Sequence, residues 1–525
     1  MNLVPRILFA AFIAPALLHA QAAAPKVGPA KGTVIVVGGG GMGPEVYNAF
    51  IAAAGGPDAL ILTVPNAGES AAYPVDGPST RSWKTAGAKN VEVLFTRDRK
   101  LADTDSFVAK IKRAGGIWFE GGRQWHIYND YAGTKTEAAF NEVLARGGVV
   151  GGSSAGASIL GDFLVRGAPS SNNMIMDHPE YQKGFAYLRG TGIDQHVVAR
   201  NRLPDLADSI IPKYPTLLGL SEDEGTAWVV KGDTGTIIGR NKGFVYGANV
   251  RNDAGKPFLT LHPGDRFNLA TRQVIRRSIE DTPLTLDFVN SLFTKYSDPA
   301  TRGATVLVAQ NGKVLVDRAY GVPGQARLLP ETGAPLFTLG AISDVFTTMC
   351  SQMTAATPDS AAAGRGRAAA AAPPDSGARG RAAGTPPDTA AATGRAGRAG
   401  RGAANNSPST PLQSCTRSLT SPVGMQRVTA TPEGQVQGNV DDLYRFELGL
   451  QNPRTYGGAD RAKGWQADTF RGVNRLSAFA MAGGKRSAFV RIPDRQAVII
   501  VLTNDDAADA KGIADRITER LIAPR

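Results

Sequence analysis

Cysteine is nearly absent: the 525-residue chain has two, Cys350 and Cys415. Two thiols are too few for a structural zinc site. In an oxidising compartment they can pair, closing a loop of about 64 residues that is worth ~4 kcal/mol of chain entropy. The alternative is two unpaired thiols. Histidine is almost as scarce, with five residues. No H-E-x-x-H and no close His/Asp group occurs, which argues against a metal site. No apolar run reaches the ~20 residues that a membrane-spanning helix needs. A basic block is lacking too. The net charge is +12, yet seven Arg against three Asp fall in one tract, 355–411, and the rest is dispersed. That pattern argues against a dedicated nucleic-acid binder.

Glycine (62) and proline (33) are plentiful, largely because of the same tract. The remainder, in a chain that is 42% hydrophobic and 20% charged overall, suits two or three domains with real cores. Residues 1–20, MNLVPRILFAAFIAPALLHA, read as a cleaved signal peptide. Arg6 supplies a basic start, Ile7 to Leu18 an apolar stretch broken by Pro15, and Ala20 a small residue for cleavage. The expected location is therefore secreted or periplasmic.

From about 31 to 274 the chain alternates strand-like and helix-like stretches. Thr33–Val37, Ala59–Val64, Val91–Phe95, Gly116–Phe119 and Gly148–Gly151 read as strands, and Asp105–Ala114 and Thr136–Arg146 as helices. Such alternation predicts an α/β layered fold with a mainly parallel sheet, its chemistry at the carboxyl ends of the strands. Residues 287–350 and 416–525 read as a smaller α+β domain. It has a hairpin around Gln310-Asn311-Gly312 and a final helix over Asp509–Ile522. Between its halves, 351–415 is low in complexity and too poor in apolar side chains to offset chain entropy, so it is expected to be disordered.

The strongest chemical signal is Gly152-Ser153-Ser154-Ala155-Gly156, which has nucleophile-elbow spacing. Small residues let a strand turn sharply into a helix and present Ser154, and that helix would aim its dipole at a developing oxyanion. A serine needs a base. Of His126, His178, His196 and His262, His196 stands among polar neighbours in Asp194-Gln195-His196. The base needs an orienting acid, and Glu222-Asp223-Glu224 precedes a strand; which of Asp223 and Glu224 serves stays open. The glycine run 38–41 lacks the register of a dinucleotide fingerprint.

Four motifs in order resemble the cyanophycinase and aspartyl dipeptidase group of serine peptidases. They are Gly121-Gly122-Arg123-Gln124, Ser153 to Ala157, Asp194-Gln195-His196 with Arg200 and Arg202, and Gly219-Leu220 with Asp223 to Ala227. The resemblance covers residues 31–274 and implies a class I glutamine-amidotransferase-like fold. It implies Ser154 as nucleophile, His196 as general base and Glu224 as its acid. Backbone N–H groups of Gly122 and Ala155 would form the oxyanion hole, with Gln124, Gln195, Arg200 and Arg202 lining the substrate site. No cofactor is implied. The partner would be a peptide or the Asp–Arg polymer cyanophycin; a homodimer is left open. Two departures bear on the substrate: Arg123 stands where the family has Asp or Asn, and Asp205 where the cyanophycinase branch has a third Arg.

The C-terminal part resembles a penicillin-binding or β-lactamase-type serine hydrolase. Its S-x-x-K position reads Ala341-Ile342-Ser343-Asp344 and its later glycine motif Ala480-Met481-Ala482-Gly483-Gly484. Without serine and lysine the resemblance implies an inactive remnant. The expected function is an exported serine peptidase acting on cyanophycin or related β-aspartyl peptides. An aspartyl dipeptidase and a non-catalytic binding protein are the alternatives.

Overall fold

The structure is a computed structural model that describes residues 24–171, 174–176, 178–252, 255–296, 303–321, 336–355, 411–431, 434–480 and 486–523. The chain divides into two units, Met1–Ser278 and Ile279–Arg525. The residues expected to form a signal peptide, most of the low-complexity tract and Met481 to Gly484 lie outside the described residues.

The first unit holds β1 (Thr33–Val37), β2 (Leu60–Val64), β3 (Asn90–Val93), β4 (Gly116–Phe119), β5 (Val149–Ser153), β6 (Gly161–Phe163) and β7 (Leu188–Gln195). It continues with β8 (Leu218–Glu222), β9 (Thr226–Lys231), β10 (Thr234–Gly239), β11 (Gly243–Tyr246), β12 (Leu259–Leu261), β13 (Arg266–Asn268) and β14 (Gln273–Arg276). Nine of these form one sheet in the order β14-β13-β10-β9-β1-β5-β4-β2-β3. From β1 to β3 the neighbours are parallel. Strands β1, β2 and β4 are buried along their whole length, as the inner strands of a sheet covered on both faces must be. The other flank is antiparallel, because β9, β10, β13 and β14 follow one another without intervening helices. The sheet is thus mixed, with a parallel half, where strand–helix alternation alone predicts a mainly parallel one. A second sheet, β12-β11-β8-β7-β6, holds β6, β7 and β8 parallel.

Two helices, α1 (Pro44–Ala53) and α2 (Pro78–Thr85), pack on one face through Phe50, Trp83 and Trp118. The other face buries Phe119, Tyr131 and Phe140. The helix expected over Asp105–Ala114 is broken into Asp105–Val108 and a 3₁₀ turn, Ile111–Arg113.

The second unit contains β15 (Ala304–Gln310), β16 (Lys313–Tyr320), β17 (Phe337–Thr338), β18 (Thr429–Ala430) and β19 (Val436–Gly438). Strands β20 (Gln466–Phe470), β21 (Val473–Ala480), β22 (Ser487–Ile492) and β23 (Ala497–Thr503) complete it. A six-stranded antiparallel sheet runs β16-β15-β23-β22-β21-β20. Asn311 and Gly312, at φ 52° and 72°, make the tight turn of the expected hairpin. Helix Ala510–Ile522 packs on one face, and helices Ile342–Ala355, Pro411–Thr420 and Val440–Gln451 on the other. Cys350 and Cys415 form a disulfide between two of these helices. Both ends of the tract expected to be disordered, Ser351–Ala355 and Pro411–Cys415, are therefore helical; Leu412 and Cys415 are buried in the core of the unit.

Candidate active site

Three strands of the first unit end close together. Ser154 follows the last residue of β5, His196 follows β7, and Glu224 lies in the three-residue junction where the chain leaves β8 in one sheet and enters β9 in the other. His196 Nε2 lies 2.8 Å from Ser154 Oγ, and Nδ1 lies 2.7 Å from Glu224 Oε1. A carboxylate only accepts, so a neutral imidazole serving both contacts carries its proton on Nδ1 and accepts the serine hydroxyl at Nε2. The hydrogen bond from His196 holds Glu224 below its ordinary value against the cost of burial, and the charges of His196, Arg200 and Arg240 act in the same direction. Asp223 has a different task. Its Oδ1 accepts from the backbone N–H groups of Val198 and Ala199, which ties down the loop after His196.

The turn at Ser154 depends on its glycines. A Cβ on Gly152 would come within 2.1 Å of the Gly156 carbonyl oxygen, and one on Gly156 within 2.1 Å of that of Phe119. Ser154 itself is held at φ 57°, ψ −118°, and His196 at φ 56°. Left-handed geometry at two non-glycine residues costs of order 1–3 kcal/mol each and persists only where the surroundings enforce it. The Ser154 N–H donates to Val37 O and the His196 N–H to Gly38 O, both at 3.0 Å. The helix expected beyond the serine is only Ala155–Ser158, a single turn. Its summed dipole is correspondingly small, and the local N–H of Ala155 is what it offers.

Gly121 packs on Ser154, whose Cβ would lie 3.2 Å from an added Gly121 Cβ. Gly122 is at φ 144°, and a Cβ there would lie 2.2 Å from Ala67 O. Gln124 is buried, with its side-chain amide donating to Val165 O at 2.6 Å, so this part of it braces a loop. Gln195 is also buried; its Oε1 has no hydrogen-bond partner among the described residues. Arg200 is exposed, while Arg202 is buried near Arg166, Asp194 and Asp205. Arg123 donates to the carbonyls of Ala168 and Pro169.

Several participants escape a reading of the sequence. Arg166, buried and at φ 55°, grips Asp194 through Nε and Nη2 at 2.8 and 2.9 Å and also pairs with Asp205. Nothing in its local sequence singles it out. The run Gly38–Gly41 is the floor of the site: a Cβ on Gly39 would lie 2.1 Å from His196 Cε1, and one on Gly40 2.8 Å from Glu224 Oε2. Its clustering is visible in sequence; its purpose, close approach of backbone to imidazole and carboxylate, is not. Glu222 is fully buried at the end of β8, register-paired with Gln195, and neither carboxyl oxygen has a partner among the described residues. Burial, with Asp194 and Asp223 adding, pushes its proton affinity well above the ordinary value.

Residues 34–238 match the model of peptidase family S51. Among curated proteins, the cyanophycinase of a Nostoc species is 26% identical over 268 residues, covering 47% of this chain and 88% of that protein. The cyanophycinase of Synechococcus elongatus is 28% identical over 275 residues, covering 47% and 83%. Among solved structures, a peptidase from an acI-B1 Actinobacterium is 22% identical, covers 45% of this chain and 97% of its own, and superposes with a TM-score of 0.36. Residues 34–238 thus carry the match to peptidase family S51 and, with the similarity to cyanophycinases, mark the N-terminal part of the chain as a serine-type peptidase.

Proposed function

We propose that the first unit is a cyanophycinase-like hydrolase that cleaves aspartyl amide bonds of cyanophycin or of related β-aspartyl peptides through an acyl-enzyme. The observation that carries this reading is the continuous hydrogen-bonded chain from Ser154 Oγ through His196 to Glu224. In the proposed reaction Ser154 Oγ attacks the aspartyl carbonyl while His196 Nε2 takes its proton. Glu224 keeps the ring oriented and offsets the imidazolium charge. The N–H groups of Gly122 and Ala155 receive the oxyanion, a contribution typically of ~10²–10³-fold per donor. His196 then hands the proton to the departing amine, and water, deprotonated in turn by His196, releases the aspartyl product. Arg200 and Arg202 suit the carboxylate of an aspartyl backbone through their planar forks. Residues 1–20 would direct export, to which a disulfide between Cys350 and Cys415 is suited.

The second unit we read as a degenerate β-lactamase-type domain. Ala341 and Asp344 stand where a serine and a lysine would act, and Ser343 is buried, its Oγ accepting the Val436 N–H at 2.9 Å. A fluorescent penicillin should leave it unlabelled.

The deciding experiment incubates the protein from Gln21 onward, and its Ser154→Ala variant, with cyanophycin and with small α- and β-aspartyl peptides, reading products by mass spectrometry. Release of Asp–Arg dipeptides by the parent alone supports the reading. Cleavage of small peptides only would move the substrate to that of an aspartyl dipeptidase. No turnover by a folded parent, together with no fluorophosphonate labelling of Ser154, would leave a binding protein.

A further inference from the structure

Glu120 is the first residue beyond β4 and immediately precedes Gly121, the glycine that packs on Ser154. Phe119 is paired in parallel register with Gly152, so Glu120 stands level with Ser153 at the carboxyl end of the sheet. Side chains alternate along a strand. Glu120 therefore falls on the same side as Trp118, the side of α1 and α2. Its Oε2 accepts from the Ser79 hydroxyl, in the first turn of α2, at 3.1 Å. Tyr47, in the first turn of α1, is half-buried nearby. Burial pushes its phenol up, the Ser82 hydroxyl opposes this, and the Glu120 charge adds to the rise. The turn Gly38–Gly43 joins α1 directly to the floor under His196 and Glu224.

Glu120 thus presents a half-buried carboxyl one residue from the nucleophile's packing partner. It forms no ion pair among the described residues, and a hydroxyl is its one side-chain partner there. Burial raises its proton affinity and only Ser79 works against this. An ionised carboxylate has about four acceptor sites, and withdrawing it from water is unfavourable unless a cation joins it. A guanidinium or ammonium arriving with substrate would be such a cation, and the Tyr47 ring adds an aromatic surface that favours it.

We propose that Glu120 is a specificity-determining residue that receives the cationic side chain of the residue on the leaving-group side of the scissile amide. The proposal rests on Ser154 being the nucleophile. It names the residue that would read a basic side chain, in addition to arginines that would read carboxylates.

The test compares β-aspartyl-arginine with β-aspartyl-citrulline, a neutral near-isostere, in two assays. Hydrolysis is followed with the parent and with Glu120→Gln; binding is followed by calorimetry with Ser154→Ala and with Ser154→Ala/Glu120→Gln. The expected result is a preference of roughly 10- to 100-fold for arginine over citrulline, since charge-assisted hydrogen bonds are the strong ones. Glu120→Gln should collapse that ratio while leaving citrulline handling and Tm unchanged. A structural role would lower both substrates together and leave the ratio intact, which overturns the proposal. Equal handling of the two dipeptides by the parent, or no binding of either by Ser154→Ala, overturns it as well. Cation-selective binding without hydrolysis of the dipeptides supports the Glu120 site and bears only on which aspartyl amide is cut.

Discussion

Replacing Gly39 by alanine should disable the site without replacing any of its functional side chains. A Cβ at Gly39 would lie 2.1 Å from His196 Cε1 and 2.3 Å from Nε2. The ring would have to withdraw by roughly 1.4 Å to reach a normal ~3.5 Å contact. Its Nε2 sits 2.8 Å from Ser154 Oγ, so a shift of that size breaks the hydrogen bond. Misplacement by ~1 Å commonly costs about 10²-fold in rate. The backbone adds to this, because Gly39 is at φ 94°, which a side chain disfavours by about 1–2 kcal/mol. Gly41 provides the control within the same run. It has no positive φ, and the nearest atom to its added Cβ is a guanidinium nitrogen 4.0 Å away. Peptide hydrolysis and fluorophosphonate labelling should fall at least ~10²-fold in Gly39→Ala and stay near the parent's in Gly41→Ala. Equal activity in the two variants would refute the argument that the glycine run exists to let backbone approach the imidazole.

Glu222→Gln should stabilise the first unit more at pH 8 than at pH 5, as read by urea midpoints. Burial raises the folded-state value of Glu222, so above the ordinary carboxylate range the unfolded chain binds fewer protons than the folded one and stability declines with pH; glutamine removes that decline. Arg166→Ala leaves Asp194 buried without its two guanidinium bonds and should cost about 3–5 kcal/mol, seen as a lower urea midpoint by tryptophan fluorescence, since four of the five tryptophans belong to this unit. A Cys350→Ser/Cys415→Ser variant should lose about 4 kcal/mol, the loop-closure value for its 65-residue separation, and melt at a lower Tm; an unchanged Tm would mean that the bridge constrains nothing.

How far the sequence speaks for itself follows from the range of the forces involved. Strands β1 and β4 are legible to the residue, because inner parallel strands must be continuous apolar runs. The Gly152-x-Ser154-x-Gly156 turn is legible because its spacing lies within five residues, although Gly156 also makes room for Phe119, distant in the chain. The remaining site features join segments far apart in the chain. Whether Asp223 or Glu224 meets His196 depends on how the β8–β9 junction crosses between two sheets. The direction of one carboxylate toward imidazole and of the other toward backbone N–H groups has no local signature. Arg166 becomes visible only when Asp194, 28 residues later, is brought against it. The antiparallel flank and the helical ends of the low-complexity tract were likewise decided by tertiary contacts, the former by strand pairing and the latter by burial around Cys350 and Cys415. Residue type and spacing by themselves offered a serine at a tight turn, a candidate histidine and two candidate acids, and the resemblance of four motifs to a peptidase family gave them roles. Tertiary structure decided which of those residues face one another, because hydrogen bonds and close packing depend on distances that only the folded chain sets.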